Sequence, residues 1–171
     1  MKASRSEFLD IRGRRLHVRL WGDESAPLLF LLHGWCDVSA SWQFMIDAMS
    51  RNWRVVAPDW RGFGLSQWNN DVYWFPDYVA DLDALLLHYS PQEPVRLVGH
   101  SLGGNAACIY AGIRPERIAR LVNLDLSDPG KRGQRAGIPR PWCQSGQCLL
   151  QRCGSQLGLS ARSHASRVGI R

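Results

Sequence analysis

The chain has 171 residues, of which 45% are hydrophobic and eight are tryptophan, and this is enough apolar material for one packed domain. No apolar run is long enough to cross a membrane, and the mixed charges of residues 1–10 do not fit a signal peptide, so a cytoplasmic protein is expected. All fifteen acidic residues lie at or before Asp128. Residues 129–171 therefore carry no acidic side chain, and they carry eight basic ones.

The first predicted elements are a half-exposed hairpin and a buried strand. Within residues 8–21, Leu16, Val18 and Leu20 alternate with polar residues, which is the period of a β-hairpin with one solvated face. Leu28–Leu32 is a fully apolar run of strand length. Such a run is typical of a parallel strand that is covered on both faces.

A helix and another strand are predicted next. Apolar residues recur at helical spacing from Trp42 to Met49, and Ser39 or Ser41 is available to cap the N terminus of this helix. Residues 53–57 return to the pattern of a strand. Together with the preceding buried strand, these elements complete one β-α-β unit.

A second amphipathic helix follows a glycine-bearing loop over residues 58–70. Pro76 suits its first turn, and Pro91 and Pro94 end it. Its apolar positions recur at helical spacing, which predicts one buried face. They are Phe75, Tyr78, Val79, Leu82, Leu85 and Leu86.

The chain then continues with a predicted strand over Val95–Gly99, a helix over residues 102–111 and a strand over residues 118–126. Strands that alternate with helices at these lengths predict an α/β fold with a mostly parallel, doubly wound sheet. Ligands of such sheets bind at the carboxyl ends of the strands. Asp59 and Ser101 both fall at such ends.

Ser101 lies between two glycines at the predicted turn from strand to helix. Gly99 and Gly103 allow the strand and the helix to approach closely, and a serine at so sharp a turn adopts an unfavourable backbone conformation. The start of the helix offers unpaired N–H groups and a positive dipole end to a developing oxyanion. The pattern predicts a nucleophile elbow, and the alternative is a glycine-rich turn with a solvated serine.

Three segments resemble motifs of the α/β-hydrolase superfamily, of the AB hydrolase-1 type, and they follow the superfamily's order within residues 8–128. They are His33-Gly34-Trp35 after the third strand, Asp59-Trp60-Arg61-Gly62-Phe63-Gly64-Leu65-Ser66 after the fourth, and Gly99-His100-Ser101-Leu102-Gly103-Gly104 after the fifth. The resemblance implies that the chain forms the N-terminal part of an α/β-hydrolase fold.

The resemblance also implies roles for individual residues. Ser101 would be the acyl-accepting nucleophile, and the backbone N–H groups of Trp35 and Leu102 would form the oxyanion hole. The superfamily places its catalytic acid and histidine later in the chain, where Asp125 and His164 are the candidates. The implied substrate is a small molecule, an ester, thioester or amide of a small apolar acyl group, and no cofactor or metal is implied.

Other polar residues of these motifs are expected to be structural. Asp59, Arg61 and Ser66 are interpreted as a network that braces the loop after the fourth strand, and His33 as a brace of the oxyanion loop. For Asp125, the other interpretation is an aspartate that caps the end of a strand.

The sequence pattern changes after Asp128. Residues 1–128 are expected to form the hydrolase core, and residues 129–171 an irregular basic tail that is disordered or poorly packed. Because members of the superfamily are longer, the chain is interpreted as C-terminally truncated or frame-shifted, with a change of reading frame near residues 126–130. The last predicted strand would then be an uncovered apolar edge, which favours self-association.

Two other hypotheses use the tail. In the first, a non-catalytic fragment or pseudo-enzyme would bind an anionic partner through the basic side chains of the tail. Neither a nucleic acid nor a membrane is expected as that partner. Trp142 is the single aromatic residue of the tail, so the tail lacks the aromatic side chains that would stack on bases. A metal site would use Cys143, Cys148 and Cys153 with His164, although their C-x4-C-x4-C spacing is wider than that of common zinc knuckles.

Overall fold

The structure is a computed structural model that describes residues 1–124. Asp125, His164 and the three tail cysteines lie outside the described residues, as do the predicted boundary at residue 128 and the tail beyond it. The strands are β1 (Ser4–Ile11), β2 (Arg14–Trp21), β3 (Leu28–Leu32), β4 (Arg54–Pro58), β5 (Val95–Gly99) and β6 (Ile118–Asn123). The helices are α1 (Gln43–Ala48), α2 (Phe75–Tyr89) and α3 (Leu102–Ile113), with short 3-10 turns at Ser39–Trp42 and Pro115–Arg117.

The six described strands form one sheet in the order β1-β2-β4-β3-β5-β6. β1 pairs with β2 and β2 pairs with β4 in antiparallel fashion, whereas β4, β3, β5 and β6 are parallel to one another. In the centre of the sheet, Phe30 of β3 is paired with Val56 of β4 on one side and with Leu97 of β5 on the other. The carboxyl ends of β3, β4 and β5 therefore meet at one edge.

Both faces of the sheet are covered by helices. On one face, Phe30 and Leu32 of β3 join the apolar cluster that includes residues of α2 and α3. On the other face, Leu29 and Leu31 join a cluster with Ile46 of α1. Successive side chains of a strand point to opposite faces, so the uninterrupted apolar run of β3 serves both clusters. The prediction of a mostly parallel, doubly wound α/β sheet is confirmed.

The predicted hairpin is formed by β1 and β2, which are joined by a two-residue turn. Arg12 and Gly13 at this turn have φ angles of 53° and 71°, and positive φ at both positions matches the right-handed twist of the two strands. Leu16, Val18 and Leu20 are buried, as their alternation predicts. The prediction that the opposite face of β2 is solvated is wrong, because His17 and Trp21 on that face are also buried, and Trp21 joins the second apolar cluster.

Predictions for the other elements are confirmed except at one helix start and one strand end: β6 ends at Asn123, short of the predicted residue 126, and residues 125 and 126 lie outside the described part of the chain. β3 and β5 have the predicted bounds, and Pro76 lies in the first turn of α2. The prediction that Ser39 or Ser41 caps α1 is wrong, because a 3-10 turn with Val38 at its N-cap precedes that helix and makes no side-chain cap bond. The amide of Ser39 donates to Asp59, and the hydroxyl of Ser41 donates to Asp37.

β6 is an edge strand within the described residues, because it pairs with β5 alone. Beside it, Ile109 and Ile113 on α3 and Leu124 after the strand are exposed. Self-association through this edge remains a prediction. Within the described part of the chain, no helix is both long and apolar enough to cross a membrane.

Candidate active site

Three loops that follow parallel strands meet at the carboxyl edge of the sheet. The loop after β3 carries Trp35, the loop after β4 begins at Asp59, and Ser101 lies between β5 and α3. This is the edge at which ligands of open α/β sheets bind. The structure therefore places Trp35, Ser101 and Leu102 in one region, as the sequence predicts.

Ser101 has a strained backbone and is packed between two positions that exclude side chains. Its φ is 49° and its ψ is −112°, which is uncommon for a residue other than glycine. A Cβ atom on Gly99 would lie 2.5 Å from the amide nitrogen of Gly104, and one on Gly103 would lie 2.6 Å from the carbonyl carbon of Leu32. Only glycine fits at either position, which is the geometry of a nucleophile elbow.

The loop after β3 lies directly against this elbow. A Cβ atom on Gly34 would lie 3.3 Å from the Cβ of Ser101 and 2.8 Å from Nδ1 of His100. The next residue, Trp35, is 59% exposed, and its ring meets the ring of Phe63 edge to face at a centroid distance of 5.1 Å. The backbone of the loop is thus brought beside the serine, while the indole of Trp35 faces outward.

Two backbone N–H groups, those of Trp35 and Leu102, are the predicted oxyanion donors beside Ser101. Leu102 is the first residue of α3, where an amide has no acceptor within the helix. Within residues 1–124, neither the amide of Trp35 nor that of Leu102 donates to another residue. Free amides beside a nucleophile are the components of an oxyanion hole.

His33 supports the loop and is not available to Ser101. Its Nε2 accepts the amide hydrogen of Trp60 at 3.0 Å, so the proton of the neutral ring is on Nδ1, which donates to the carbonyl of Gly34 at 2.7 Å. Desolvation of the buried ring lowers the pKa of His33, although the hydrogen bond to Gly34 opposes this shift. Both ring nitrogens are occupied, and the brace predicted from the sequence is confirmed.

Asp59 connects the loop after β4 to the rest of the fold. Its carboxylate accepts hydrogen bonds from the amide of Ser39 at 2.6 Å, the amide of Leu65 at 3.0 Å and Nδ1 of His17 at 2.8 Å. Burial opposes ionisation, but these donors together lower the pKa of Asp59. The hydroxyl of Ser66 donates to the carbonyl of Asp59 at 2.6 Å. The network predicted from Asp59 and Ser66 is confirmed, whereas the sequence did not indicate His17 as a member.

Arg61 braces the same loop through a partner on α2. Its Nε and Nη2 donate to the two carboxylate oxygens of Asp81, each at 2.6 Å, and both side chains are buried. Hydrogen bonding to Asp81, opposed by desolvation, raises the pKa of Arg61. Arg12 of the hairpin turn adds a third contact to Asp81, at 3.1 Å. This arrangement fixes the loop to both the hairpin and α2.

The hydroxyl of Ser101 has no hydrogen-bond partner within residues 1–124. His33 and His17 have both ring nitrogens engaged elsewhere. The candidates for the acid and the base, Asp125 and His164, fall outside the described residues. Among residues 1–124, no three His, Cys, Asp or Glu side chains are grouped so as to hold a metal ion.

Comparison with known proteins places this chain in a family. A family model described as the alpha/beta hydrolase fold matches residues 27–141, which is more than half of the chain. The chain therefore belongs to the α/β-hydrolase fold family.

Individual relatives carry the names of different hydrolases. The chain is 33% identical over 128 residues to the serine hydrolase-like protein of Danio rerio, covering 73% of this chain and 39% of that protein. It is 32% identical over 129 residues to epoxide hydrolase B of Mycobacterium tuberculosis, covering 72% of this chain and 36% of the relative. The solved thioesterase domain from the curacin biosynthetic pathway matches with a TM-score of 0.64 and 31% identity, over 70% of this chain and 43% of that domain. The chain thus spans less than half the length of each.

Proposed function

We propose that the chain is a serine hydrolase, which cleaves an ester, thioester or amide of a small apolar acyl group through an acyl-enzyme on Ser101. The observation that carries the proposal is the position of Ser101 at a strained strand-to-helix turn, beside the amides of Trp35 and Leu102, which donate to no other group within residues 1–124. A nucleophile next to oxyanion donors is the arrangement that acyl transfer requires.

In the proposed reaction, Oγ of Ser101 attacks the carbonyl carbon of the substrate and the carbonyl oxygen becomes an anion. The amides of Trp35 and Leu102 donate to that anion. The bond to the leaving group then breaks, and water hydrolyses the acyl-serine. A histidine held by an acid must accept the serine proton, and Asp125 and His164 remain the proposed pair for that role.

A serine at the elbow favours acyl transfer over epoxide opening. If a serine hydroxyl opened an epoxide, the product would be an ether, which has no carbonyl for water to attack, so the enzyme would not be regenerated. An acyl-serine is an ester, which water cleaves. This chemistry favours the activities named by the thioesterase and serine hydrolase-like relatives over that named by the epoxide hydrolases.

The apolar surroundings of the site support an apolar acyl group. Trp35 in the loop after β3 is largely exposed beside the elbow, and its ring is in contact with Phe63 in the loop after β4. Leu65, in the same loop as Phe63, is 61% exposed. These side chains offer an apolar surface next to the proposed oxyanion hole. The acyl chain would lie against them.

A second candidate is a pseudo-enzyme, because the hydroxyl of Ser101 has no histidine partner among residues 1–124. Removing the base leaves only the acceleration supplied by binding and the oxyanion hole. In this alternative, the basic residues after 128 would bind an anionic partner. Turnover of an ester separates the two candidates.

The experiment measures hydrolysis of p-nitrophenyl acetate and butyrate by the full chain and by Ser101→Ala. Mass spectrometry of the quenched protein locates the acyl adduct. We expect an adduct on Ser101 and faster release of p-nitrophenol by the natural chain than by the variant. Equal turnover by both proteins would exclude a catalytic role of Ser101, and Ser101-dependent consumption of styrene oxide would overturn the preference for acyl substrates.

A further inference from the structure

A second serine, Ser6 on β1, is hydrogen-bonded to a histidine and an aspartate outside the Ser101 site. Oγ of Ser6 lies 2.9 Å from Nε2 of His17, and Nδ1 of His17 lies 2.8 Å from Oδ2 of Asp59. β1 and β5 are four strands apart in the sheet order, which corresponds to about 19 Å. The array is therefore separate from Ser101 and does not depend on its proposed role.

The hydrogen bonds of Asp59 determine which nitrogen of His17 carries the proton. Burial opposes ionisation of Asp59, but the amides of Leu65 and Ser39 and the ring of His17 donate to it, and its pKa is lowered overall. A carboxylate only accepts hydrogen bonds, so in the neutral form of the His17 ring the proton is on Nδ1. Nε2 is then an acceptor, and the hydroxyl of Ser6 donates to it. This is the tautomer in which a histidine withdraws a proton from a serine.

Ser6 is exposed, whereas His17 and Asp59 are buried beneath it. The amide of His17 donates to Ser66 and its carbonyl accepts from the amide of Asp59, so the backbone N–H and C=O of His17 point away from β1. The backbone N–H and C=O of Arg19, two residues further along β2, point the same way. Ser6 is the residue of β1 that lies opposite Arg19. The N–H of Ser6 therefore faces the edge of β1 that no other strand pairs within residues 1–124, where an approaching carbonyl oxygen would meet a donor.

We propose that Ser6 is a second acylation site, whose hydroxyl is activated by His17 and accepts an acyl group from an activated carboxylic ester. Oγ of Ser6 forms a bond to the carbonyl carbon, its proton moves to Nε2 of His17, and the N–H of Ser6 donates to the carbonyl oxygen. When the adduct collapses, the bond between the carbonyl carbon and the leaving oxygen breaks, and the proton passes from His17 to that oxygen. The products are an O-acyl serine and a free alcohol.

The test treats the full chain with p-nitrophenyl acetate and compares two serines of the same strand. Ser4 is also exposed, but its hydroxyl accepts a hydrogen bond from Arg19 at 3.2 Å and has no imidazole partner. Cleavage after Glu7 gives a peptide of residues 1–7, whose fragment ions distinguish an acetyl group on Ser4 from one on Ser6. We expect Ser6 to be acetylated about 10-fold or more faster than Ser4, as expected for assistance by a general base.

Two variants separate this site from Ser101 and from a merely structural contact. In Ser101→Ala the acetylation of Ser6 is expected to persist, because the two serines are four strands apart in the sheet. The peptide of residues 1–7 reports Ser6 alone, since residue 101 lies on a different peptide. In His17→Gln, checked for folding by circular dichroism, the rate at Ser6 is expected to fall to that at Ser4. Equal rates at Ser4 and Ser6 in the natural chain overturn the proposal, and this comparison decides it even if the His17 variant does not fold.

Discussion

His33 and Trp60 are joined by two hydrogen bonds, each of which links the ring of one residue to the backbone of the other. The amide of Trp60 donates to Nε2 of His33 at 3.0 Å, and the indole nitrogen of Trp60 donates to the carbonyl of His33 at 2.9 Å. Both residues are fully buried. The pair locks the loop after β3 to the loop after β4, and it requires a neutral imidazole.

This pair predicts that the chain loses stability in mild acid. The pKa of folded His33 is lowered by desolvation, so the unfolded chain binds its proton more readily. The stabilising contribution is complete above the unfolded value of about 6.5 and is lost as the pH falls through that value towards the folded one. Urea unfolding, monitored by tryptophan fluorescence at pH 8 and at pH 5, measures the effect. The pKa of Asp59 is lowered and lies below both pH values, so Asp59 does not contribute to the difference.

His33→Gln is expected to remove part of this pH dependence and to lower the free energy of unfolding at pH 8 by about 1–3 kcal/mol, because buried partners lose their hydrogen bonds. The matched control is His88→Gln, since the side chain of His88 is 47% exposed. The interpretation is wrong if the difference between pH 8 and pH 5 is the same in His33→Gln as in the natural chain.

Gly103→Ala is expected to destabilise the chain by about 1–3 kcal/mol and to stop acylation of Ser101, because the new methyl group would overlap the backbone of Leu32. Backbone atoms cannot move aside as the end of a side chain can, so α3 must shift away from β3. Asn105→Ala is the control, because Asn105 is exposed on the same helix. Thermal unfolding and the yield of the Ser101 adduct are the measurements, and an unchanged melting temperature in Gly103→Ala would contradict the prediction.

Asp81→Asn is expected to cost up to about 3–5 kcal/mol, because it removes the buried counter-charge of Arg61 and leaves the guanidinium with the more exposed carboxylate of Asp77, 3.5 Å away. The control is Glu116→Gln, which breaks an ion pair with Arg114 of similar length, 3.0 Å, but on the surface. The surface change is expected to have little effect on the free energy of unfolding. Comparable losses in the two variants, measured by urea unfolding, would show that burial of the Arg61 pair does not matter.

Trp35→Pro tests the proposed oxyanion donor directly, because proline has no backbone N–H. The rate at which Ser101 is acylated by p-nitrophenyl acetate is expected to fall about 10²–10³-fold. Trp35→Ala keeps the N–H and is expected to retain most of that rate, while it weakens binding of the butyrate ester through loss of apolar contact. Equal rates in the two variants would remove the amide of Trp35 from the mechanism.

The elements with the clearest local signals were predicted closely. β3 and β5 have the predicted bounds because β3 is an uninterrupted apolar run, β5 is apolar except for Arg96, and each strand is followed by a histidine. The start of α1 was predicted wrongly because the amide of Ser39 is bound by Asp59, twenty residues away in the chain. A capping preference is local, and a distant carboxylate outweighed it.

The site was predictable where a motif implies its own geometry. Spacing alone indicated that Gly99 and Gly103 have no room for a side chain, and the structure shows that they have none. The partners of Asp59 and Arg61 were not predictable, because His17 lies 42 residues from Asp59 and Asp81 lies on a separate helix. Contacts of this kind depend on sheet order, which hydrophobic periodicity does not encode.

The central position of β3 has a consequence for how the chain is made. Phe30 is paired with Leu97, which is synthesised 67 residues later. At about 5–20 residues per second, translation needs about 3–13 s to supply that partner. During that time, one edge of a wholly apolar strand has no partner strand in the nascent chain. We therefore expect the nascent chain to be bound by a chaperone that shields apolar segments until β5 has been synthesised.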